Sequence, residues 1–65
     1  MNTIHFAYQC ITLLADGKTY SSIENYTTAE DAIARAKAWT DAGYKAFAQR
    51  VMVETDPVEV HIVRL

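Results

Sequence analysis

Residues able to do chemistry are few in this chain. Cys10 is the only cysteine, and His5 and His61 are the only histidines. Their spacing matches no zinc-ligand pattern. Alternation along the first predicted strand sends Cys10 to one face and His5 to the other, and His61 also faces away from Cys10. A nucleophilic cysteine needs exposure and a base beside it. Cys10 sits inside an apolar run and reads as a core residue. Arg50, Glu59 and His61 fall on one face of the last hairpin. They read as a surface polar cluster, because general acid–base catalysis needs a pocket and a small two-layer domain has little room for one. Tyr20 and Tyr26 could stack bases, but the basic groove that single-strand binders use is missing. The expectation is a protein that is not an enzyme, with no metal and no cofactor.

Acids carry the clearest pattern. The second strand, the helix start and the last turn are expected at one end of the fold. That end collects Glu24, Glu30, Asp31, Glu54, Asp56 and Glu59, while Lys18, Lys45 and Arg64 are expected near the other. An acidic pole suits a basic partner steered to it by charge. The plainer account is that acids favour helix N-termini and that turns are polar.

The helix that positions this pole spans Thr27 to Gly43, TTAEDAIARAKAWTDAG. Thr27 with Glu30 forms a capping box, and Thr28 with Asp31 is the competing register. Gly43 supplies the left-handed residue past the end. Helical periodicity puts Ala29, Ala32, Ile33, Ala36, Trp39 and Thr40 on the inward side. Small residues there let the helix lie close to a sheet, with Ile33 and Trp39 as the larger contacts. Asp31 and Arg35 are spaced for an ion pair.

Strand signals flank the helix. TIHFAYQCITLL, residues 3–14, is β-branched, aromatic and aliphatic. Asp16-Gly17 predicts a two-residue type I′ turn, followed by a polar strand over residues 18–26 that suits a sheet edge. That turn sets Cys10 opposite Ile23 and Ala7 opposite Tyr26. Residues 44–53 and 58–65 read as two more strands around a turn at 54–57. Phe47, Val51, Val53, Val58, Val60 and Ile62 share one face of this pair. The fold class is α+β: β-β-α-β-β, a four-stranded antiparallel sheet with one helix packed on one face. Spatial order 2-1-3-4 keeps every neighbour antiparallel, with 2-1-4-3 as the rival. The sheet face away from the helix is expected to carry Ile11, Leu13, Tyr20, Tyr26, Met52, Val63 and Leu65, an apolar surface of the kind that marks association. A half-solvated antiparallel sheet also tolerates scattered apolar residues.

Composition sets the bounds. Sixty-five residues make a single domain, 1–65, with modest burial. Eight acids against six bases give a net charge of −2, which argues against phosphate binding. No apolar stretch is long enough for a membrane span. The lone cysteine and the absence of a signal-peptide pattern point to the cytoplasm.

The stretch AEDAIARAKAWTDAGYKAFAQRV is similar to the helix–Gly–strand unit of peptidoglycan-binding SPOR domains, which carry two such units. TTAEDAIARA resembles the helix of HicB-type antitoxins. In size, mild acidity and single-helix sheet, the whole chain looks like small accessory proteins of bacteriophages and mobile elements, anti-CRISPR proteins among them. That resemblance implies a non-enzymatic inhibitor in the bacterial cytoplasm. It would bind a host or defence protein and occlude a basic, nucleic-acid-facing surface. The other expectation is a small homodimeric structural or regulatory module, antitoxin-like.

Overall fold

A helix whose inward stripe is alanine can only lie close over small neighbours, and that requirement orients the molecule. The computed structural model describes residues 3–65. The chain forms β1 (Ile4–Leu13), β2 (Tyr20–Tyr26), α1 (Ala29–Asp41), β3 (Lys45–Glu54) and β4 (Glu59–Arg64). The four strands make one antiparallel sheet in the order β2-β1-β3-β4, with α1 across one face. The core joins Ala32 and Ala36 of the helix to Cys10 and Ala48 of the two central strands, with Tyr8, Tyr26 and Trp39 packed around it.

The helix starts in the competing register. Thr28 is the cap, and its hydroxyl accepts from the Asp31 N–H at 3.2 Å. The end follows from Gly43, whose φ of 96° is left-handed. The Gly43 N–H donates to the Thr40 carbonyl, and the Tyr44 N–H reaches back to that of Trp39. This is a Schellman closure. The rings of Trp39 and Tyr44 meet edge-on at 5.1 Å, supplying the apolar contact that accompanies it. Ile33 does not join the inward stripe and stays 47% exposed. Arg35 turns to Glu24 rather than to Asp31.

Two details of the first hairpin differ from the expectation, and the second has large effects. Only Gly17 takes a positive φ in this turn, so it is not type I′. The Asp16 carboxylate instead accepts from the Lys18 and Thr19 N–H groups, each at 2.8 Å. Further on, the β1–β2 register slips between Thr12 and Leu13. Leu13 still opposes Tyr20, but Cys10 opposes Glu24 and Tyr8 opposes Tyr26. One extra residue, Ser21, exchanges the faces of everything after it in β2. Glu24 and Tyr26 therefore lie on the helix side, and Ile23 on the reverse side beside Ile11.

The third and fourth strands face the opposite way from the expectation. Ala48 pairs with Cys10, and Arg50 with Tyr8, under or beside the helix. Met52 and Val63 belong to this same helix side, as does Leu65, whose N–H donates to the Ala48 carbonyl. Phe47, Val51, Val53, Val60 and Ile62 form the reverse side, while Val58 falls in the turn. Phe47 under the helix would hold it off; Ala48 lets it close.

The helix is shorter than the sheet. Thirteen residues span about 20 Å, whereas the ten residues of β1 span about 33 Å. β2 stops at Tyr26 opposite Tyr8, and β4 flanks β3 only from Gln49 to Glu54. The helix crosses β3, β1 and β2 and does not reach β4. About two-fifths of the length of β1 therefore extends beyond the helix, and among the described residues no helix covers either side of it.

Candidate functional site

The six acids expected at one pole fall into three separate places. Glu24 lies beneath the helix. Its carboxylate accepts from Trp39 Nε1 at 2.7 Å, from the Tyr26 hydroxyl at 3.0 Å and from Arg35 Nε at 3.2 Å. The indole hydrogen bond is the main reason its pKa is held below the ordinary carboxylate value. Arg35 also stacks over the Trp39 ring at 4.9 Å. Burial, reinforced by the Glu24 carboxylate, raises the Tyr26 phenol. This quartet fastens β2 to the helix and presents no free carboxylate to a partner.

Glu30 and Asp31 occupy the first helical turn, where the dipole favours them. The helix opens three residues after Tyr26, at the Tyr8 rung. The Ile4–Glu54 rung lies four steps further along β1, roughly 13 Å away. The helix start and the β3–β4 tip are thus not one patch.

The third group is the β3–β4 tip. Glu54 and Glu59 sit directly opposite each other across the ladder, an unfavourable arrangement for like charges. The His61 imidazole Nε2 lies 3.5 Å from Glu59 and 3.9 Å from Glu54. One donor atom from each of the three residues falls within 4.8 Å of the others, so these are the groups that could hold a cation. Asp56 is in the turn itself, with a φ of 64°. The tip contains no Lys or Arg. Lys18 and Lys45 lie at the other end of the molecule, while Arg64 pairs at mid-sheet and stacks over Phe47 at 3.9 Å. His5, Cys10 and His61 are not brought together: His5 is on the reverse side, Cys10 is buried in the core and His61 is at the tip. Burial raises the Cys10 thiol, with the Glu24 charge adding to it, so the sulfur stays protonated and unreactive.

The apolar surface also sorts differently. Ile11, Leu13 and Tyr20 occupy the reverse side as expected, joined by Ile23, Phe47, Val51, Val53, Val60 and Ile62. Exposure reaches 58% at Tyr20, 57% at Val60 and 60% at Ile62. A polar ladder crosses the middle of this face. Gln49 donates to Gln9 at 2.9 Å, and Gln9 donates to Asn25 at 3.0 Å. On the helix side, beyond the helix, Ile4, Phe6 and Val63 are also exposed. The Arg50 guanidinium lies 5.7 Å from the Phe6 ring, and its Nε is buried without a partner.

A cleft of about 370 Å³ opens at the far end, lined by Leu13, Leu14, Ala15, Ser21, Gly43, Tyr44 and Lys45. Its one cation, the Lys45 ammonium, donates to the Ala15 carbonyl at 3.2 Å. No carboxylate or imidazole stands opposite it in that lining, so the cleft offers no acid–base pair. No helix among the described residues is long and apolar enough to cross a membrane.

No family model, curated protein or solved structure matches the chain.

Glu59 and His61 share a face as expected, but Glu54 was not placed with them because the turn runs from 55 to 58, one residue later than the expected 54–57. That shift makes Glu54 a paired strand residue. The reverse-side apolar set had a usable signal: an alanine-lined helix calls for the strand face bearing Cys10 and Ala48.

Proposed function

We propose that the chain is a non-enzymatic protein-binding inhibitor, of the kind phages direct against host defence complexes, working in the bacterial cytoplasm. The observation that carries this reading is the β3–β4 tip. It places Glu54, Asp56 and Glu59 together, without a Lys or Arg, at the end of the part of the sheet that extends past the helix. Such a projection can enter a basic groove made for a phosphate backbone and exclude nucleic acid by occupancy and charge. The apolar residues beside the tip, Ile4 and Phe6, supply contact area that charge alone lacks. Direct nucleic-acid binding has no support in a chain of net charge −2 whose tyrosines lie on different faces.

The test is retention from nuclease-treated bacterial lysate on the wild-type chain and on two variants. Glu54→Lys/Asp56→Lys/Glu59→Lys reverses the tip. Glu30→Lys/Asp31→Lys reverses the helix start. A protein kept by the wild type and the helix-start variant, and lost from the tip variant, supports the reading. Equal retention on all three removes the acidic tip from the mechanism.

A second reading, a homodimeric regulatory module of the antitoxin-like kind, is favoured by a different observation: the largely apolar reverse side of the sheet, crossed by a single polar ladder.

A further inference from the structure

The reverse side of the sheet is more apolar than the side the helix covers. The helix rests on Cys10 and Ala48. The reverse side carries Ile11, Ile23, Phe47, Val51, Val60 and Ile62. Ile11 is fully buried among its neighbours and Arg64 stacks over Phe47, while Ile23, Val60 and Ile62 are exposed. Among the described residues no helix packs over this side. Strands of ten, seven, ten and six residues present a face of roughly 500 Å² in projection. Side-chain relief carries its accessible area toward the ~800 Å² per partner of a standard interface. The whole-molecule surface points the same way. The chain exposes 4587 Å², where a compact monomer of its 7.3 kDa exposes roughly 4,200 Å². Its radius of gyration is 13.1 Å, against about 11 Å for a compact domain of this length.

We infer that the reverse side of the sheet mates with the reverse side of a second copy of this chain, giving a helix–sheet–sheet–helix dimer. The inference deepens the homodimer reading and does not depend on what the tip binds. Several features fit a second copy. The patch is one continuous sheet face, and a two-fold interface requires a single self-complementary patch. Two such faces pack as a sandwich, with side chains interdigitating about 10 Å apart. The Gln49–Gln9–Asn25 ladder lies across the middle and has its internal bonds made. Gln49 is buried, at 8% exposure, so it is the Gln9 and Asn25 end of the ladder that meets the same ladder of the other copy and fixes one register. The acids bear on the arrangement too. Glu30, Asp31, Glu54, Asp56 and Glu59 all lie on the helix side, at the helix start or in the turn, so mating the reverse sides opposes none of their charges directly. Among the described strand residues, the reverse side carries three basic ones. His5 and Lys45 sit near its two ends, and Arg64 is folded against Phe47.

The experiment is sedimentation equilibrium of the full chain, with two variants at neighbouring positions of β4. Ile62→Glu puts a carboxylate on the reverse side, and Val63→Glu puts one on the helix side. Both positions are exposed, at 60% and 45%, so neither change empties the core. The wild type and Val63→Glu are expected to be dimers with a Kd at or below about 10 μM. Ile62→Glu is expected to be a folded monomer, its fold checked by far-ultraviolet circular dichroism, with affinity weakened at least about a hundredfold. A wild type monomeric to about 1 mM overturns the inference. So does a dimer broken by Val63→Glu and kept by Ile62→Glu, which would place the contact on the other side. Should Ile62→Glu fail to fold, Val60→Lys, 57% exposed on the same side, takes its place. Loss of partner retention in the tip variant leaves these outcomes unchanged, so the two readings fail separately.

Discussion

At the scale of single residues, Glu24 shows how position changes what a carboxylate is for. It lies on a polar edge strand, and its composition alone suggests a solvated acid. It accepts instead from Trp39, Tyr26 and Arg35, and its folded-state pKa is depressed. A depressed carboxylate contributes stability that is fully present above its unfolded pKa and is lost as pH falls through the folded one. Melting temperature should therefore fall as pH drops below the ordinary carboxylate range. Glu24→Gln, which keeps an oxygen for the indole and has no charge to lose, should show a flatter acid limb. Thermal melts followed by fluorescence of Trp39, the only tryptophan, read this directly. A second acid limb remains in both proteins. The Thr19 hydroxyl and N–H hold Asp16 at about 2, so its contribution fades from its ordinary value of 3.8 toward that pH. Equal acid limbs in the wild type and Glu24→Gln would mean that Glu24 is not a stabilising anchor.

At the scale of elements, the sequence was legible wherever one local signal decided the outcome. The helix stop at Gly43, the edge position of β2 and the grouping of Phe47 with Val51, Val53, Val60 and Ile62 all follow from capping, polarity and alternation, whereas the choice of β3 over β4 beside β1 did not. What was not legible needed a comparison between elements. The Ser21 bulge leaves no mark in a strand of ordinary polar residues, yet it exchanges the faces of Glu24 and Tyr26. Choosing which side of the hairpin faces the helix meant weighing volumes. Ala32 and Ala36 fit over Cys10 and Ala48 and do not fit over Phe47. The same fit predicts the cost of disturbing it. Ala32→Leu should destabilise by about 1–3 kcal/mol through overpacking. Ala34→Leu, on the exposed flank of the same helix, should stay within about 0.5 kcal/mol of the wild type. Urea titration of both variants separates close packing from helix propensity. Similar losses in the two would refute the close-packing account.

At the scale of the whole molecule, the extents of 44 × 24 × 14 Å describe a slab with unlike ends. One end holds the helix, β2, the aromatic closure at Gly43 and the Glu24 quartet. The other is a three-stranded extension of β1, β3 and β4, tipped by acids. This division accounts for a small core beside so much apolar surface: the helix covers only part of one side, and among the described residues no helix packs over the reverse side. It also separates the two proposed contacts, because the acidic tip and the mating face can be engaged together. Charge at the tip should then set the rate at which a basic partner arrives, and added salt should weaken that encounter more than it weakens dimerisation.

The early end of β2 has a consequence in time as well as in space. From Ala7 back to Ile4, β1 has β3 on one side and, among the described residues, no strand on the other. Amide protons at His5 or Ala7 are held by fewer neighbours than those at Ile11 or Thr12, which lie between two strands. Hydrogen exchange should grade along a single strand, fast near Ile4 and slowest between Gln9 and Thr12, where opening requires the whole fold to yield. Uniform protection along β1 would contradict this. With such a gradient the molecule has a stiff heel and a compliant toe, and the compliant part is the one that carries the acidic tip.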